Sequence, residues 1–140
     1  MAVADALITR NPDDLDVLGW LPVDEVLRRI ADRFPLAVVD RERGDRIVRE
    51  HAVRLAEVSA HAVVLDDWRA LEGRVAYITI REGVGGPQFG FFLKPQTTMF
   101  EIDYERPEDR DDCRPLLEAL AEALEYDILT EDIVDEDLGD

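Results

Sequence analysis

Between Pro22 and Phe34 the apolar residues Val23, Val26, Leu27, Ile30 and Phe34 return every three or four positions, the repeat that lines one face of an α-helix. Asp24 and Glu25 stand where the helix dipole is positive and Arg33 where it is negative, so spacing and charge predict the same amphipathic helix. Pro35 stops it. Leu36 to Val39 is a short apolar run of the kind a buried strand presents, and the charged stretch Asp40 to Gly44 reads as the turn that closes it. A second helix is predicted from about Asp45 to Val58, with Ile47, Val48, His51, Ala52, Leu55 and Val58 on its buried stripe and Arg46, Arg49 and Arg54 toward water. Ala62 to Leu65 is either a strand or the approach to a short helix around Asp66 to Leu71, and periodicity does not arbitrate.

After Gly73 the period changes to two. Three runs, Arg74 to Glu82, Gln88 to Lys94 and Thr97 to Glu105, are separated by the Gly-rich loop Gly83 to Pro87 and by Pro95-Gln96, connections short enough to imply an antiparallel meander. In the third run Thr98, Phe100, Ile102 and Tyr104 alternate with Met99, Glu101, Asp103 and Glu105, giving one apolar and one acidic face. By the same rule Ala76, Ile78, Ile80, Phe89, Phe91 and Leu93 turn inward. Val75, Tyr77, Thr79, Gln88, Gly90, Phe92 and Lys94 turn outward. Arg106 to Asp109 then leads into a helix from about Asp112 to Tyr126, with Pro115 tolerated in its first turn and Cys113, Leu116, Leu117, Leu120 and Leu124 on one face.

The two ends carry no clear period. Residues 1–19 read as an irregular segment with a turn at Asn11-Pro12-Asp13-Asp14, and residues 127–140 as an acidic tail that is either a short amphipathic helix or a disordered end able to dock. With no repeat, heptad run or linker, the expectation is one α+β domain over residues 1–140. An antiparallel sheet of three to five strands would pack helices on one face.

Composition adds one strong fact. The chain of 140 residues holds 33 carboxylates against 16 Lys and Arg, a net charge of −17, and such a field repels phosphate backbones and anionic lipid surfaces while attracting basic partners. Nucleic-acid binding and membrane binding are therefore not expected, and no stretch approaches the roughly 20 apolar residues that cross a bilayer. The charge is also uneven. From Pro115 to Asp140 there are ten carboxylates and no Lys or Arg, whereas between Asp24 and Arg54 eight Arg face seven acids.

Nucleophilic chemistry has few candidates. The sole serine, Ser59, falls at a helix end without the context that activates a hydroxyl, and Cys113 sits beside Asp111 and Asp112, which oppose thiolate formation. One cysteine makes no internal disulfide, and the Met1 to Arg10 stretch, with Asp5 inside its apolar run, lacks the pattern of a secretory signal, so a reducing cytoplasmic setting is the expectation. His51 reads as a core or boundary histidine, His61 has no nameable partner, and Lys94 reads as a solubilising edge charge. No cofactor signature is present: the Gly83 to Pro87 loop has neither dinucleotide nor phosphate-loop spacing. Asp66-Asp67 and Glu101, Asp103 and Glu105 have the chemistry to hold Mg²⁺, but clustering is expected by chance at this acidity, and no metal site is assigned.

What rises above background is the outer face of the meander, where Tyr77, Phe92 and Met99 are rimmed by Glu101, Asp103 and Glu105, with Glu131, Asp132 and Asp135 of the acidic tail as further contacts. Apolar anchors inside one sign of charge describe a surface for a basic protein. The functional expectation is a non-enzymatic acidic binding module that occupies such a surface, in the manner of immunity proteins and nuclease inhibitors. The alternatives are a carboxylate-based metal-dependent enzyme, which needs acids and a histidine to converge in a pocket, and an acidic protein like a secretion chaperone.

Overall fold

The structure, a computed structural model, describes residues 2–8, 21–58, 62–95 and 99–133. Seven strands and four helices follow in the order β1 (Ala2–Ile8), α1 (Val23–Arg33), β2 (Val38–Asp40), α2 (Arg41–Glu57), α3 (Ala62–Arg69), β3 (Ala76–Arg81), β4 (Gln88–Leu93), β5 (Met99–Glu101), β6 (Asp103–Tyr104), α4 (Arg110–Leu124) and β7 (Asp127–Ile133), with a 3₁₀ turn at Pro107–Asp109 before α4. This is one α+β domain with antiparallel pairing throughout.

Two sheets form, ordered β5-β1-β7 and β2-β3-β4-β6. They share a chain segment: β5 pairs with β1 through Ala6↔Glu101 to Ile8↔Met99, and two residues later β6 pairs with β4 through Phe89↔Tyr104 and Gly90↔Asp103. Ile102 lies between, its N–H donating to the Asp5 carbonyl at 3.1 Å. The third alternating run therefore hands one sheet over to the other.

Alternation holds where the meander was expected. Ala76, Ile78, Ile80, Phe89, Phe91, Leu93, Phe100 and Ile102 point into one core, closed by Val26, Ile30 and Phe34 of α1 and by Cys113, Leu116, Leu117, Leu120 and Leu124 of α4. Burying that set is the main stabilising term, at roughly 1.5–3 kcal/mol per large side chain. Helix α4 ends at Leu124 rather than at Tyr126, whose ring stacks on Phe100 with centroids 5.3 Å apart.

Both chain ends differ from the irregular reading. β1 is the central strand of its sheet, so Asp5, Ala6 and Leu7 are all buried and no alternation marks them. β7 pairs with it over seven residues, from Ala2↔Ile133 to Ile8↔Asp127, so the first half of the acidic tail is a strand. Residues 134–140, with Asp135, lie outside the described residues.

Two local readings also change. Asp40 to Gly44 is the start of α2 and not a turn: the Asp40 carboxylate accepts from the Arg43 N–H at 2.8 Å, capping the helix. Gly44 stands inside the helix because α2 presses on β3 there; a Cβ at Gly44 would lie 2.7 Å from the Ala76 Cα. Leu36, Val38 and Val39 are not a buried run. They border the second sheet at its edge and are 43 %, 39 % and 44 % exposed. On α2, Val48 and Ala52 are buried while Val58, its C-cap, is exposed; Ala62 to Leu65 is not a strand but the first half of α3, so the short helix expected around Asp66 to Leu71 begins earlier, at Ala62, and ends at Arg69.

Candidate binding face

On the outward side of the second sheet, Tyr77 and Thr79 of β3, Gln88 and Gly90 of β4, and Asp103 and Glu105 at β6 border a hollow of about 480 Å³. Its shape depends on Gly90. Tyr77 lies across that glycine, and a Cβ there would sit 2.5 Å from the phenol ring. From above, the Arg43 guanidinium of α2 stacks on the same ring at 3.7 Å from its centroid. The Tyr77 hydroxyl donates to the Asp103 carboxylate at 3.1 Å. Burial, then the neighbouring Asp103 charge, push this phenol up to about 12, and Arg43 only partly opposes them.

Outward direction and exposure are thus different things on this face. Tyr77 and Phe92 point away from the core as alternation requires, but α2 and α3 cover them: Tyr77 is 7 % exposed, and Phe92 is half-buried against Trp68 at 6.5 Å. They are packing residues, and the reading of them as open anchors is corrected. His51 belongs to the same cover, its ring 4.1 Å from Trp68, and the Lys94 ammonium lies 5.2 Å from the centroid of the same Trp68 ring. His61 and Ser59 lie outside the described residues.

What stays open is the edge. Met99, Glu101, Asp103 and Glu105 are exposed along β5 and β6, and the exposed carboxylates continue through Glu108, Asp111 and Asp112 at the start of α4. The arginines of this stretch offset it only in part, and each is paired with an acid. Arg106 pairs with Asp109 at 2.9 Å, Arg110 with Asp5 at 2.9 Å and Arg114 with Glu118 at 3.3 Å. Contrast α1, where Arg28 and Arg29 both bind Glu25 and hold its carboxyl down at about 2. Glu131 and Asp132 are in β7, but their side chains, like Asp135, lie outside the described ones.

Among the described residues no three His, Cys, Asp or Glu side chains stand as a metal-holding group. Asp66 and Asp67 are exposed on α3, and Glu101 stands outside the hollow that Asp103 and Glu105 border. Cys113 is buried, its thiol bonded to the Gln88 carbonyl at 3.4 Å and pushed up by burial and by Asp109 and Asp112.

One buried group escaped the sequence reading. The Asp5 carboxylate, 2 % exposed, accepts from Tyr104 at 2.5 Å, from Thr130 at 2.8 Å and from Arg110 at 2.9 and 3.2 Å. Burial pushes its pKa up, but these donors outweigh it and hold the carboxyl below its ordinary range. The signal was present: an acid inside Ala4-Asp5-Ala6-Leu7 has either to end a strand or to be paired.

No protein-family model, curated protein or solved structure matches the chain. Its physical character is therefore the ground for a functional reading. No helix among the described residues is long and apolar enough to cross a membrane.

All three tyrosines, Tyr77, Tyr104 and Tyr126, have phenols raised above the ordinary value, in each case chiefly by burial. A spectrophotometric titration of the native protein is expected to show its phenolate steps displaced above pH 10. Ionisation of two or three tyrosines at that pH would contradict the packing described.

Proposed function

We propose that this protein is an acidic binding module of the cytoplasm that occupies a basic surface on a partner protein. The observation that carries the proposal is the predominantly acidic edge from Met99 to Asp112, where seven carboxylates stand against Arg106 and Arg110. Its exposed carboxylates face water while Arg106, Arg110 and Arg114 are each committed to another acid. Unpaired charges at an open edge act through long-range steering and rim contacts, which set partner choice and association rate. Met99, 44 % exposed, adds an apolar contact inside the acidic rim. The hollow beside Asp103 and Glu105 is lined by Arg43 as well, so the contact surface is the open edge outside it, and Tyr77 and Phe92 are excluded from that surface by α2 and α3.

The test is capture from a lysate of the native host at low and high salt. The wild type is compared with Glu101→Lys/Glu105→Lys/Glu108→Lys and with Glu50→Lys/Glu57→Lys on α2, which changes charge elsewhere. The edge variant is expected to lose its partner and most of the salt dependence, and the α2 variant to retain both. Equal retention by the two variants would reject the edge as the binding face.

A further inference from the structure

Helices α2 and α3 cover only part of the outer face of the second sheet. They close over Tyr77 and Phe92, whereas Thr79, Gly90 and Asp103, which lie opposite one another across β3, β4 and β6, border the hollow of about 480 Å³. That volume falls within the roughly 300–1,000 Å³ of small-molecule sites. Tyr77 sets the charges at its border. The Arg43 guanidinium stacks on the ring at 3.7 Å from its centroid, and the hydroxyl at the far end of the same ring donates to Asp103 at 3.1 Å. The two charges do not meet: among the described residues no carboxylate pairs with the Arg43 guanidinium, so its N–H fork stays open. One buried phenol thus holds a guanidinium and a carboxylate apart at the border of one hollow, both anchored before any ligand arrives. Glu105 adds a second carboxylate, and the half-buried side chains of Thr79 and Gln88, which make no hydrogen bond to another described side chain, add neutral donors and acceptors.

We propose that this hollow binds a free α-amino acid with a cationic side chain. The ligand carboxylate takes the open fork of Arg43 in a bidentate pair, and its α-ammonium donates to Asp103. The two groups of an α-amino acid are joined through one carbon, which suits a guanidinium and a carboxylate that share one tyrosine without touching. Charge then selects the side chain. Two carboxylates against one guanidinium leave the site one negative charge in excess, and a basic amino acid brings one positive charge in excess, with its side-chain cation for Glu105. An acidic amino acid would set a second carboxylate against Glu105 and is excluded.

The site is separate from the acidic edge, and its test needs no protein partner. Isothermal titration calorimetry compares L-arginine with agmatine, the same molecule without its carboxylate. Attraction by the acidic surface alone favours agmatine, which carries the larger positive charge, whereas the proposed site favours arginine. Saturable binding of L-arginine at least about tenfold tighter than that of agmatine is expected for the wild type. Arg43→Met, which keeps an unbranched stem and removes the fork, is expected to abolish that preference. Asp103→Asn, which still offers Tyr77 an acceptor, is expected to weaken both ligands, and Glu108→Lys, outside the hollow, to leave the preference intact. Agmatine binding as tightly as L-arginine to the wild type, no saturable heat with either, or an unchanged preference in Arg43→Met would overturn the site.

Discussion

Replacing Asp5 by Ala is expected to cost about 3 kcal/mol of folding stability, the lower end of the range for breaking a buried ion pair by removing one partner. The lower end applies because Arg110 keeps about a quarter of its side chain in contact with water, so its abandoned charge is not fully buried. Tyr104 and Thr130 lose an acceptor at the same time, and they come from β6 and β7, so the change loosens the junction of both sheets with α4. Asp5→Asn should do less harm to packing but remove the charge. Because the folded carboxyl titrates below its unfolded value, its contribution is complete above the unfolded pKa and disappears as the pH falls through the folded one. Urea unfolding of the wild type and Asp5→Asn should therefore converge toward acid and diverge toward neutrality. A constant difference across that range would contradict the pairing.

The second large effect reverses an ordinary rule. Gly to Ala inside a helix gains up to about 1 kcal/mol of intrinsic propensity. At Gly44 the added methyl would lie 2.7 to 3.0 Å from the Ala76 backbone atoms, which cannot turn aside as a flexible side chain can. Overpacking of this kind costs about 1–3 kcal/mol, and contact with backbone belongs at the upper end, so Gly44→Ala is expected to be destabilising by about 2 kcal/mol net. Thermal and urea unfolding would show it. A stabilised Gly44→Ala protein would mean that α2 does not sit on β3 as described, and with it would go the cover over Tyr77.

The same residues explain what was and was not legible in the sequence. α1, α4, β3 and β4 each have one face in the core and one outside it, so their periods appear in the order of residues. β1 has neighbours on both sides and buries three consecutive residues, one of them charged, and a pattern that does not alternate reads as irregular. Gly44 suggested a turn because glycine weakens helices, whereas its absent side chain is what allows the helix to approach the sheet. Alternation assigned Tyr77 and Phe92 to the correct face of the sheet. It carries no information on whether a later-packed helix covers that face, and α2 and α3 do. The acidic edge was legible as composition, but the commitment of Arg110 to Asp5, 105 residues away, was not.

Hydrogen exchange on the complex recovered from the host is the most direct measurement of where a partner sits. Amides from Met99 to Asp112 are expected to gain protection over the free protein, with α2 unchanged. Protection confined to other elements, with Met99 to Asp112 exchanging as in the free chain, would contradict the acidic edge as the working surface.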